Sequence, residues 1–158
     1  MPTEKYVALA NLTLSAPAAT VTFSSISQDY RDLYLVISGK TVTSNATIDL
    51  RLNSDATTTN YSSVTIQGDG TSAITSSSNT FGLGSLSTAA QSSVLVEFLD
   101  YSSTTKHKTY LIRNNRSDTS AQFRVGRWAN TSAISTLAVP TGSSTYATGT
   151  TFALYGVM

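Results

Sequence analysis

Two apolar runs separated by a short polar segment constrain the fold of this chain more than any other feature. The first run covers residues 93–101 (SVLVEFLDY) and the second residues 106–114 (KHKTYLIRN), and Ser and Thr residues lie between them. Successive side chains of a β-strand point to opposite faces of a sheet, and the first run is apolar on both. The pattern predicts a central β-hairpin whose first strand is covered on both faces, with Phe98 and Ile112 in the core.

Short alternating runs recur about every ten residues along the rest of the chain. The clearest, residues 47–53, places three apolar residues on one face and Asp49 and Arg51 on the solvated face. Residues 71–80 are nearly all Ser, Thr, Ala and Asn, which predicts a long exposed loop. No segment keeps apolar residues at helical spacing for three turns. We predict an all-β, single-domain antiparallel β-sandwich of jelly-roll type, with about nine or ten strands over residues 1–158 and residues 1–5 as a candidate flexible arm.

The composition argues against several classes of partner and cofactor. Charged residues make up only 12% of the 158 residues and the net charge is +1, whereas Ser and Thr together approach a third of the chain. So small a charge favours neither a nucleic-acid partner nor an acidic membrane surface. The chain has no Cys and one His, which makes disulfides and structural zinc sites improbable. No apolar window is long enough to span a bilayer. We expect no cofactor.

Three residues are candidates for catalytic groups. His107 is the only histidine, and the sequence offers it neither a nucleophile nor an orienting partner. Glu97 and Asp49 are acids within apolar runs, a combination that glycosidases use as a pair. Alternation is expected to place Asp49 on the solvated face, so we predict that the chain has no catalytic residue.

One loop contains several oxygen ligands of the kind that Ca²⁺ prefers. Asn53, Asp55 and Asn60 lie close together, but their spacing does not match a calcium-binding loop. Asn and Asp residues are common in turns because their side chains bond the local backbone. We therefore interpret the loop as a turn and predict no metal site.

Basic residues are concentrated in one part of the chain. Six of the ten lie between positions 106 and 127, and Asp118 is the only acid among them. The candidate interface residues are Lys106, Lys108, Arg113, Arg116, Arg124 and Arg127, together with Trp128. This basic stretch predicts a surface that docks on an acidic partner, with Arg and Trp as anchors. The alternative is an ordinary solvated strand face with Trp128 in the core, and the sequence leaves both open.

Four further stretches share a pattern of strand ends and turns. They are residues 21–26 (VTFSSI), 32–38 (DLYLVIS), 50–55 (LRLNSD) with 60–62 (NYS), and 150–157 (TTFALYGV). In this pattern the chain resembles small β-sandwich virion proteins of tailed bacteriophages, and the resemblance extends over almost the whole chain. Proteins of this kind serve as capsid cement or decoration proteins and as heads of fibres, often as trimers.

The resemblance implies a non-enzymatic virion protein, and it transfers no functional residue to this chain. We expect a homotrimer that is synthesised in the host cytoplasm and binds the major capsid protein lattice on the capsid exterior. The alternative is the head of a tail or capsid fibre, which would bind a host-surface glycan or receptor. A fibre head needs a stalk or anchor, and the first strand is expected to begin near Tyr6, which favours the cement role. A carbohydrate-active enzyme is disfavoured by the missing acid pair.

Overall fold

The computed structural model describes residues 5–79 and 81–158, and most of them lie in β-strands. In chain order, the strands of the described residues are β1 (Tyr6–Thr13), β2 (Thr20–Phe23), β3 (Asp32–Gly39), β4 (Ala46–Asp49), β5 (Arg51–Leu52), β6 (Tyr61–Gly68), β7 (Ala73–Ser78), β8 (Gly82–Leu86), β9 (Ser92–Leu99), β10 (Lys108–Arg116), β11 (Ser120–Trp128), β12 (Leu137–Pro140) and β13 (Thr151–Val157). The helical content of these residues is one 3-10 turn, Thr58–Asn60. None of their helices has the length and apolarity required to cross a membrane.

The strands form two layers. Eight of them build one large antiparallel sheet in the order β1-β13-β3-β9-β10-β11-β6-β7. The second layer consists of two small sheets, β2-β12-β5 and β4-β8, and a bridge between Ile48 and Thr141 links them. Strands β4 and β5 follow one another along the chain, so a nearly continuous segment joins the two small sheets.

The core lies between the two layers. Alternate side chains of the large sheet point inward and pack against apolar side chains of the small sheets. The fully buried members include Leu35, Val96, Phe98, Ile112 and Leu154 from the large sheet, and Ile48, Leu52, Leu137 and Val139 from the small ones. Burial of such apolar surface is the main stabilising contribution in a sandwich without disulfides.

The predicted antiparallel β-sandwich is confirmed, with thirteen strands in the described residues rather than nine or ten. The central hairpin is also confirmed, because β9 and β10 pair continuously from Leu99–Thr109 to Ser93–Asn115. Phe98 and Ile112 are buried, as expected. The prediction that the first strand is covered on both faces was wrong, since Leu95 and Leu99 remain half-exposed on the side away from the small sheets.

Two local expectations are corrected. Within residues 71–80, where a loop was expected, Ala73–Ser78 form edge strand β7, because backbone pairing with β6 requires no apolar side chains. Asp49 is half-buried rather than solvated, although it alternates with the buried Ile48 and Leu50 as predicted, because its carboxylate lies beside Gly82 of β8. Residues 1–4 of the candidate arm, and Thr80 of the expected loop, lie outside the described residues.

Candidate functional site

Strand alternation divides the basic stretch between the two faces of the large sheet. Strands β10 and β11 pair in register over their whole length, from Lys108–Trp128 to Arg116–Ser120. Lys108 and Arg124 therefore point towards the small sheets, whereas Arg113 and Arg127 point away from them. The side turned away from the small sheets is called the outer face below. The six basic residues do not form one surface.

Lys108 and Trp128 are removed from the predicted docking surface because both side chains are buried. The Lys108 Nζ donates hydrogen bonds to the carbonyl oxygens of Lys106, at 2.9 Å, and Thr131, at 3.1 Å. Burial lowers the pKa of Lys108. The Trp128 indole donates to Asp55 Oδ2 at 2.7 Å and stacks against Tyr61. The alternative interpretation of Trp128 as a core residue is the correct one.

Arg124 is also turned inward. Its guanidinium donates to the carbonyl oxygen of Gly82 in the opposite layer, and burial lowers its pKa. Burial raises the pKa of the nearby Asp49, an effect that the charges of Arg51 and Arg124 partly offset. Arg124 therefore holds the two layers together at the rim of the core and is not available as an anchor for a partner.

The two basic residues near the strand ends are paired with acids of the same chain. Lys106 Nζ lies 2.8 Å from Asp100 Oδ2 at the tip of the central hairpin. Arg116 Nε lies 3.1 Å from Asp118 Oδ1 at the turn between β10 and β11. Of the predicted interface residues, Arg113 and Arg127 are exposed on the outer face, and neither makes an ion pair within residues 5–79 and 81–158.

The outer face carries a broad apolar area between these two arginines. On β6, Val64 and Ile66 point outward with 56% and 55% exposure, while Ser63 and Thr65 point inward and are buried. On the neighbouring β11, Phe123 and Val125 point outward with 42% and 40% exposure. The middle of both strands thus reverses the usual arrangement, in which apolar residues face the core and polar residues face water, whereas the paired ends bury Tyr61 and Trp128.

Strand register aligns these side chains into two rows. We define the apolar band as the outward apolar residues of five neighbouring strands, namely Val64, Ile66, Phe123, Val125, Leu111, Leu95 and Val36. Within one row Val64, Val125 and Leu111 are directly opposite one another on successive strands. Directly opposed pairs on one face contact each other in antiparallel sheets. This row is therefore continuously apolar across β6, β11 and β10.

Charged groups interrupt the apolar band at defined positions. Arg113 lies between Phe123 and Leu95 in one row, and Glu97 follows Leu111 in the other. Glu97 is opposite Tyr34, and partial burial together with the Glu97 carboxylate raises the pKa of the Tyr34 phenol. The outer face thus carries charges of both signs next to the apolar band.

The sequence carries a signal for this face in the alternation of β6 and β11. Val64 and Ile66 alternate with Ser and Thr, and Phe123 and Val125 alternate with Gln and Arg. The period of two predicts strands correctly, but it does not say which face is buried. Only the position of the small sheets shows that the apolar side of β6 and β11 is uncovered.

The candidate catalytic residues are not brought together. His107 is exposed at the tip of the central hairpin. Glu97 lies on the outer face of the large sheet, whereas Asp49 belongs to the opposite layer, with the core between them. The two carboxylates therefore do not flank a common space in which a sugar could bind.

The oxygen-rich loop forms a set of turns. Asp55 accepts hydrogen bonds from Asn60 Nδ2 at 2.8 Å and from the backbone N–H of Thr57 at 2.9 Å, in addition to the indole of Trp128. Asn53 Oδ1 accepts from the backbone N–H groups of Ser135 and Thr136. Their oxygens thus serve protein donors, and no cluster of three or more His, Asp or Glu residues occurs in the described part of the chain.

Comparisons with known proteins give no family assignment. No protein-family model matches the chain, and no curated protein matches it. A solved structure of a mutant alginate lyase, Aly36B, in complex with alginate trisaccharide is similar over 94% of this chain and 80% of the lyase chain. The identity is 8% and the TM-score 0.37, so this likeness does not establish an enzymatic activity for the chain.

Proposed function

We propose that this chain is a non-enzymatic structural protein of a tailed bacteriophage virion, and that it decorates and stabilises the capsid from outside. The virion role rests on the resemblance in strand ends and turns over residues 21–26, 32–38, 50–55 with 60–62, and 150–157. Under this proposal the protein is a homotrimer, and the major capsid protein lattice is its partner.

One observation of the structure supports a structural rather than a catalytic role. The apolar band is an extended exposed surface on the most regular part of the fold, and the exposed Arg113 and Arg127 lie beside it. Monomeric proteins rarely leave contiguous apolar areas of more than a few hundred Å² in water. A decoration protein needs such contact surfaces because it works by assembling with copies of itself and with the shell. A cyclic assembly would also present each docking contact several times, which raises avidity.

Binding to capsids that lack this protein tests the decoration role. Purified protein is mixed with such capsids, and the mixture is sedimented at low and at high salt. We expect saturable binding at a fixed number of copies per capsid subunit, together with a higher melting temperature of the shell. Ovalbumin, a folded protein with no capsid role, serves as the control for non-specific sedimentation. Absence of capsid binding at every salt concentration contradicts the role.

A second role, the head of a fibre, is favoured by one specific feature. A depression of about 530 Å³ on the outer face is lined by Val64 and Val125 of the apolar band and by polar side chains that include Ser62, Ser77, Thr109 and Arg127. Hydroxyl and guanidinium groups are suitable donors for the hydroxyl and carboxylate groups of a glycan. Binding of the protein to host cells or to an immobilised host glycan, lost in Arg127→Ala, would favour this role over the capsid.

A further inference from the structure

We infer that the apolar band on the outer face is the self-association surface of this protein and that its occupant is a second copy of the same chain. This inference rests on the proposed structural role, and it identifies a second copy of this chain as the partner of the apolar band. It also places the contact with the capsid elsewhere on the sandwich.

The first argument is the reversed polarity of β6 and β11. In a sandwich that functions as a monomer, the larger apolar residues of these strands would face the core. Here Ser63 and Thr65 are buried, while Val64 and Ile66 are more than half exposed. Exposed apolar side chains of this kind are stabilised when another protein surface covers them, because they then lose their contact with water.

The second argument is charge complementarity. Glu97 lies on β9, and Arg113 and Arg127 lie on the two strands that follow, β10 and β11. A second copy offers both signs, so that around the three-fold axis of the proposed trimer the arginines of one copy can approach Glu97 of the next. An acidic partner surface would place its charges next to the like charge of Glu97. A basic partner surface would place its charges next to the like charges of the two arginines. Like charges brought together at an interface weaken association.

The third argument is size. Eight strands of about eight residues, with a spacing of about 4.8 Å between strands and a rise of about 3.4 Å per residue, give an outer face of about 1,000 Å². A specific protein interface buries about 800 Å² on each partner. The outer face is therefore large enough for a stable contact between copies, and interfaces between identical chains are the more apolar class.

A single substitution in the band, with a matched control, tests the inference. Val125→Glu places a carboxylate in the middle of the band, beside Val64 and Leu111. Val42→Glu is the control, because Val42 is also an exposed valine, at 47%, and it lies in the loop after β3. Both sites are exposed, so both variants should fold, which circular dichroism verifies. Molar mass is measured by sedimentation equilibrium over a range of concentrations.

We expect the wild-type protein and Val42→Glu to form the same oligomer, and Val125→Glu to dissociate with a dissociation constant raised at least about 100-fold, since a buried unpaired carboxylate is costly. Glu97→Arg should also weaken the oligomer, and the triple change E97R/R113E/R127E should restore it. A wild-type protein that stays monomeric at about 1 mM, or a Val125→Glu oligomer as stable as the control, overturns the inference.

The outcome is separable from that of the capsid experiment. An oligomer that depends on Val125 but does not bind capsids retains this interface and removes the decoration role. A monomer that binds capsids overturns the interface and leaves the decoration role in place.

Discussion

At the scale of single residues, Asp55 shows how a polar group stabilises the rim of the core. Its carboxylate accepts hydrogen bonds from Thr57 and Asn60 of its own loop and from Trp128 at the end of β11. Burial alone would raise its pKa, but these hydrogen bonds outweigh burial and lower the pKa to about 2. The charged form is therefore the one that the fold favours.

Asp55→Asn should lower the free energy of unfolding at pH 7 by about 1–3 kcal/mol, because hydrogen bonds to a charged acceptor are replaced by weaker ones. The pKa is lowered on folding, so the wild-type contribution is present above the ordinary pKa of 3.8 and is lost as the pH falls towards 2. The difference between the two proteins should thus shrink over this range. Urea unfolding at several pH values measures it, with the exposed Asp29→Asn as control, and a difference independent of pH would contradict the assignment.

Position 126 requires glycine because the side chain of Tyr110 packs directly against its backbone. A Cβ at this position would overlap the ring of Tyr110 on the neighbouring strand. Gly126→Ala should therefore cost about 1–3 kcal/mol, the usual range for overpacking. Gly142→Ala is a suitable control, since its Cβ would meet only the carbonyl oxygen of Thr47 at 3.6 Å. Equal thermal stability of the two variants would show that Tyr110 does not pack over β11.

At the scale of elements, the central hairpin β9–β10 is the part of the fold that the sequence predicts best. Its inward residues are buried and its strands pair without a bulge. Phe98→Ala should cost about 3–5 kcal/mol of unfolding free energy, since the ring is fully buried.

Phe123→Ala makes the same chemical change on the outer face, where the ring is 42% exposed. In dilute protein it should change the stability of a single chain by less than about 1 kcal/mol. Denaturant unfolding of both variants at low protein concentration compares them. Similar losses in the two would mean that the outer face is buried within one chain.

The limits of sequence analysis also appear at this scale. Alternation identified the inward Ile48 and Leu52 because the other side of β4 and β5 carries Asp49 and Arg51. It did not show which side of β9 is uncovered, because that strand is apolar on both sides. It did not predict that Asp49 is half-buried, and it missed β7, which pairs through its backbone and has little apolar content. It treated six basic residues as one patch because nearness in sequence does not determine the face of a strand. Lys108 and Arg113 lie on the same strand and point in opposite directions.

At the scale of the whole molecule, the two faces of the large sheet differ in what they contact. The inner face builds a core with the small sheets. The outer face is apolar over its central strands and carries charges of both signs, and we assign it to contact between copies. The surfaces that remain for a capsid are therefore the small sheets and the ends of the sandwich.

Cryo-electron microscopy of capsids to which the purified protein has been added tests this account most directly. We predict ordered density on the outside of the shell, in which neighbouring copies of the sandwich face each other through Val64, Val125 and Leu111. Shells without added density would contradict the decoration role. Density in which these residues face solvent or the shell would contradict the assignment of the outer face.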